Sequence, residues 1–103
     1  MTLSIQSDPQ ANVLRMEGTF TFDAHAEFKT ASLGLLEARG GHDVILDLAR
    51  VTYMDSAALG MLLLLRERAD AKGVKVVLHQ PSPTVLNILR VVQFGKLFEI
   101  REA

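Results

Sequence analysis

Asp43-Val44-Ile45-Leu46-Asp47-Leu48 and, a few residues later, Asp55-Ser56-Ala57-Ala58-Leu59-Gly60 place a short apolar run next to the mouth of a strongly apolar helical stretch. The first reads as a strand buried on both faces. The second opens a helix from about Ala57 to Lys72, with Gly73 as a suitable residue just beyond its end. Ser56 sits at the junction, where a hydroxyl can cap backbone N–H groups at a cost of about 1 kcal/mol if lost. If phosphorylated there, the same N–H groups and the helix dipole would stabilise the new dianion.

Working outward, Leu3-Ser4-Ile5 and Val13-Leu14-Arg15-Met16-Glu17 read as two strands. Ser7-Asp8-Pro9-Gln10-Ala11-Asn12 is the turn of a hairpin, and Gly18 ends the second strand. Asp23 is placed to cap a helix whose apolar residues Ala24, Phe28, Ala31, Leu35 and Ala38 recur at helical spacing, with Gly40-Gly41 as its stop. Val74-Lys75-Val76-Val77-Leu78 is a core strand. Ser82-Pro83 starts a helix with a buried stripe of Val85, Ile88, Leu89 and Val92, closed by Gly95. Leu97 to Ile100 supplies a last edge strand or a docked segment. The order β-β-α-β-α-β-α-β predicts one α/β domain over residues 1–103: a mixed, mainly parallel sheet with an N-terminal hairpin, right-handed crossovers and packed helices.

Composition narrows the functional class. The 103 residues are 49% hydrophobic and 22% charged, with a formal net charge of −1, which suits a globular domain and not a disordered one. Eleven basic against twelve acidic residues, with no basic run, argue against nucleic-acid binding. There is no cysteine, which excludes disulfides, thiolate metal sites and cysteine nucleophiles. No export signal is visible. The longest apolar run, Ala57 to Leu65, spans nine residues, against about 20 for a membrane span. A cytoplasmic domain without membrane contact is the expectation.

Enzyme signatures are weak. A nucleophile elbow needs glycines two residues either side of the serine, where this chain has Met54 and Ala58. His25, His42 and His79 are scattered, so neither a triad nor a histidine metal site is indicated. Gly40-Gly41 lacks the lysine-serine/threonine pair of a phosphate-binding loop. Asp47 and Asp55 are two carboxylates near one junction; they suit loop N–H groups better than a magnesium ion. No cofactor and no catalytic residue is expected. The helix after Ser56 carries Leu59, Met61, Leu62, Leu63, Leu64 and Leu65, more apolar surface than one core-facing stripe requires. The surplus serves a second internal interface or a docking surface beside Ser56.

Taken in order, these residues resemble the STAS domains, and among them the bacterial anti-sigma factor antagonists. The resemblance is strongest at Ile45-Leu46-Asp47-Leu48, Val51, Met54-Asp55-Ser56 and Leu59-Gly60. It continues through Gly73-Val74-Lys75-Val76-Val77-Leu78, the Val85 to Val92 helix and Phe94-Gly95-Lys96-Leu97-Phe98. It implies that Ser56 is phosphorylated by a partner kinase of the histidine-kinase-like ATPase type that can double as the anti-sigma factor. It also implies a metal-dependent serine phosphatase that reverses the reaction. The unphosphorylated form would sequester its partner and the phosphorylated form release it. The surplus apolar area flanking Ser56 motivates the expected contact surface of a monomer: Phe20, Thr21, Phe22, Asp23, Asp55, Ser56, Ala57, Gly60 and Met61. Single-domain members governing motility, biofilm or secretion are the most similar, so a regulatory scaffold acting on a non-sigma effector is the alternative. Where many members have serine and glycine, this chain has Ala57 and Ala58, which leaves Ser56 as the acceptor of the motif and places a methyl where a kinase would approach. Thr21 stands where an acidic residue is frequent, and Thr52 is the fallback phosphosite.

Overall fold

The computed structural model describes residues 3–38 and 42–102. Five strands form one sheet in the order β1-β2-β3-β4-β5, with β1 antiparallel to β2 and every other pair parallel. β1 (Leu3–Asp8) and β2 (Val13–Phe20) make the hairpin. A 3-10 turn (Phe22–Ala24) leads into α1 (His25–Ala38). β3 (Val44–Met54), α2 (Ser56–Ala71), β4 (Val76–His79) and α3 (Pro83–Val91) follow. A second 3-10 turn (Phe94–Lys96) precedes β5 (Glu99–Arg101). The expected order of strands and helices is the observed one, and the terminal segment is an edge strand.

The core lies on one face of the sheet. Leu14 of β2 pairs with Leu46, which pairs with Leu78, and all three are fully buried. Phe28 and Leu35 of α1, Leu62 and Leu65 of α2, and Val85 and Leu89 of α3 close over them in one cluster. Because β2 to β5 are laid down side by side, right-handed crossovers bring every helix to this same face. The opposite face carries Arg15, Asp47, His79 and Arg101 in register across β2 to β5. The run Asp43 to Leu48 is therefore not buried on both faces. Val44, Leu46 and Leu48 point into the core, while Ile45 and Asp47 on the outer side are only half-buried.

Several boundaries differ from expectation for local reasons. β3 does not stop at Leu48 but runs to Met54, because two bulges opposite β2, between Arg15 and Glu17 and between Gly18 and Thr19, reset its pleat. Each adds a residue to β3, so its buried positions pass from Leu48 to Val51 to Met54. Gly18 does not end β2; at φ 112° it lets the strand bend and continue to Phe20. β4 begins at Val76 because the two preceding N–H groups are used elsewhere. Val74 N–H closes α2 on the Ala69 carbonyl at 3.0 Å, and Lys75 N–H donates to Asp43 Oδ1 at 3.1 Å. Gly73, at φ 73°, is the left-handed residue that ends α2 as anticipated.

At α3, Ser82 is the N-cap, accepting from Val85 N–H at 3.4 Å, with Pro83 in the first turn. Its stripe is shorter than the spacing suggests, since Val92 is 40% exposed beyond the last turn, and Gln93 at φ 60° ends the element ahead of Gly95. Ala38 is exposed at the end of α1. Asp23 is not a helix cap: it lies inside the 3-10 turn, where its carboxylate accepts the Thr21 hydroxyl. Gly40-Gly41 lies outside the described residues.

Candidate functional site

The residue that caps α2 is Asp55, not Ser56. Asp55 has extended backbone angles (φ −99°, ψ −179°), and its Oδ1 accepts from Ala58 N–H at 2.9 Å. Its other oxygen, Oδ2, accepts from Phe22 N–H at 3.1 Å, and its own N–H donates to the Phe20 carbonyl at 3.3 Å. One side chain thus caps the helix and ties the Phe20–Asp23 loop to it. The bulged end of β3 delivers it there, with Met54 buried beneath.

Ser56 becomes the first residue of α2 and is exposed. Among the described residues its hydroxyl has no hydrogen-bond partner, and no acceptor takes the N–H of Ser56 or Ala57. These are the unpaired donors that every helix N-terminus leaves over once the cap has taken its share. Two open donors and a free hydroxyl therefore share one exposed corner.

The remaining expected contact residues divide by burial. Phe20 is fully buried and stacks on Phe28, ring centroids 4.8 Å apart, so it supports the loop from below. Met61 is 8% exposed and belongs to the core. Phe22 is 70% exposed, its ring 6.1 Å from that of His25. Asp23 and Gly60 are exposed, and Thr21, Asp55 and Ala57 are half-buried. The Thr21 hydroxyl, and then the residue's own backbone N–H, hold the Asp23 carboxyl below its ordinary value of 3.8.

Ala58 is fully buried. Its methyl faces the core, so it does not crowd an approaching kinase, contrary to the expectation from the family resemblance. Of the apolar surplus on α2, Leu62 and Leu65 fill the core while Leu63 and Leu64 are each 41% exposed.

Asp47 and Asp55 are not brought together. Asp47 accepts from Ala49 N–H at 3.1 Å on the outer sheet face, and eight steps along the strand at about 3.3 Å each separate it from Asp55. Among the described residues no group of three or more His, Asp or Glu could hold a metal ion. The Thr52 hydroxyl donates to the Gly18 carbonyl at 3.2 Å, so the fallback acceptor is already engaged.

With this geometry fixed, known proteins are informative. A family model described as "Mlab, STAS domain" matches residues 3–100. The chain belongs to the STAS domain family. A curated STAS relative, the STAS-domain containing protein PA14_20770 of Pseudomonas aeruginosa (strain UCBPP-PA14), is 38% identical over 96 residues, 91% of each chain. Among solved structures, the anti-sigma factor antagonist SpoIIAA in its unphosphorylated form superimposes with a TM-score of 0.72 at 19% identity, covering 99% of this chain and 89% of that one. Apo-SiaC from Pseudomonas aeruginosa gives 0.66 at 24% identity, covering 99% and 91%. These structures share the STAS fold with this chain.

Among the described residues no helix is long and apolar enough to cross a membrane.

Proposed function

We propose that this STAS domain is a phosphorylation-controlled, non-enzymatic binding module of the cytoplasm, an anti-sigma factor antagonist whose switch is Ser56. The observation that carries the reading is the corner at the start of α2: an exposed hydroxyl without a partner, beside N–H groups without acceptors. A kinase reaches such a hydroxyl without unfolding anything, and the fold loses no bond when it is modified. Phosphate adds about −1.5 to −2 charges at pH 7. Asp55 holds the loop bearing Phe22 against the same corner, so aromatic surface and added charge share one edge. Gly60 extends this edge one turn along α2; a Cβ there would meet nothing within 4 Å, so the fold does not require its bare backbone. The likeness to SpoIIAA, an anti-sigma factor antagonist solved in a form named for lacking phosphate, supports the same direction.

In this reading the unphosphorylated protein sequesters an anti-sigma factor that is also a serine kinase of the histidine-kinase-like ATPase type. Phosphorylation of Ser56 releases it, and a metal-dependent serine phosphatase resets the cycle. ATP and metal belong to those partners. Weakening the complex tenfold takes only about 1.4 kcal/mol, and desolvating an unmatched dianion at an interface costs several kcal/mol. The test is a pull-down with Ser56→Ala and Ser56→Asp side by side, followed by labelling of the purified forms with ATP and the recovered kinase. Ser56→Ala should retain the partner and accept no label, and Ser56→Asp should lose the partner while keeping its circular dichroism. Label on Ser56→Ala overturns the assignment of the site.

A further inference from the structure

We infer that the groove between α1 and α2 seats an acidic amphipathic helix of a partner protein; the inference rests on the domain being a protein-binding module. Phe28, Met61 and Leu65 form the floor of the groove, and Leu64, 41% exposed, stands on its outer wall. Its enclosed volume is about 20 Å³, room for about one water-sized sphere. That rules against a small-molecule site, which needs several hundred Å³, and suits the tip of one inserted side chain. The lining carries His25, Lys29 and Arg68 and no acid. Among the described residues Lys29 and Arg68 make no ion pair, which is equally true of Arg50, Lys72, Lys75 and Lys96; what sets them apart is that the hollow they line holds no acid, whereas those lined by Arg50, Lys75 and Lys96 do. Glu67 lies outside the lining, on the outward side of α2.

The match to a helix is geometric. His25 and Lys29 are one turn apart on α1, about 6 Å, so carboxylates at i and i+4 of a docked helix meet them in register. Leucine-like residues on its adjoining stripe then cover Leu64. Leu64 is about 12 Å from Ser56 along α2, beyond the screening length of about 8 Å at physiological salt. Met61, at the near end of the groove, is about 7.5 Å from Ser56 and Arg68 about 18 Å, so it is the Leu64–Arg68 end that forms a second anchor which a charge at Ser56 does not switch off.

The probe is a synthetic helical peptide of about five turns, with leucine at i, i+3, i+4 and i+7 and glutamate flanking that stripe, titrated into the isotope-labelled full chain by NMR. The control peptide has each glutamate replaced by lysine. The glutamate peptide should shift amides of 25–33 and 60–68 saturably, more weakly at high salt, and the lysine peptide should bind at least tenfold less. In Lys29→Glu/Arg68→Glu that preference should reverse. Ser56→Asp should bind the glutamate peptide as wild type does; if it does so and yet fails to lose the pull-down partner, the switch at Ser56 falls and the groove stands. Equal binding of the two peptides, shifts elsewhere, or unchanged binding in the double variant overturns the groove. So does a wild-type dimer in sedimentation, or co-pelleting with phosphatidylglycerol vesicles, that the double variant abolishes, because the cations then serve a second copy or a lipid surface.

Discussion

Asp55 holds two pieces of chain with two oxygens, and Ser56 beside it holds none. Their replacement should therefore separate stability from function. Asp55→Ala removes a helix cap, about 1 kcal/mol, and the bond to Phe22 N–H, about another 1 kcal/mol, so denaturant unfolding should register a loss of about 2 kcal/mol. Asp55→Asn keeps one good acceptor and should recover about half. Ser56→Ala removes a hydroxyl that bonds to nothing and should fall within about 0.5 kcal/mol of wild type; a loss near 1 kcal/mol would mean that the serine caps after all. Asp23 offers a pH test. Its carboxyl titrates below 3.8 because the Thr21 hydroxyl donates to it. A lowered folded-state value contributes stability that is fully present above the ordinary value and is lost as pH falls through the lowered one. An NMR titration should place Asp23 below 3.8, and Thr21→Val should bring it back up.

The N-terminus of α2 illustrates what a sequence of elements discloses and what it hides. Ser82-Pro83 and Gly73 mark their helix ends unambiguously, because proline and a left-handed glycine each admit few positions. Asp55-Ser56 does not, since aspartate and serine cap equally well and only the register of the first turn decides between them. The length of β3 was hidden as well. Arg50, Thr52 and Tyr53 break the apolar alternation, and the two bulges that restore Val51 and Met54 to the core depend on the partner strand β2. A shift from period two to period three over Leu48, Val51 and Met54 was the one signal available. Ala58 carries the prediction at this scale. Ala58→Gly loses a buried methyl, about 0.8 kcal/mol, and helix propensity of up to about 1 kcal/mol, so unfolding should show a loss of 1–2 kcal/mol with phosphorylation of Ser56 unchanged. A gain in phosphorylation would restore the view that this methyl stands in a kinase's way.

In the molecule as a whole, the sheet is covered on one face and charged on the other. The alternation of strands and helices was legible along the chain, and with right-handed crossovers it dictates a single helical layer. The outer face was less so, because half-buried Ile45 and fully buried Val77 make β3 and β4 read as apolar runs although Asp47 and His79 stand in register on the same side. The helical layer then presents α2 with Ser56 at one end and Leu63 and Leu64 along its length, next to the loop that Asp55 retains. Phe20 and Met61, expected among the contact residues, lie buried beneath that surface, and Phe22 and Gly60 remain on it. The most direct measurement is the affinity of the partner recovered with Ser56→Ala for two preparations of the full chain, one unmodified and one carrying phosphoserine at position 56. Binding at least tenfold weaker for the phosphorylated chain, about 1.4 kcal/mol, with circular dichroism unchanged, is the predicted result. Equal affinity of the two preparations would contradict the account.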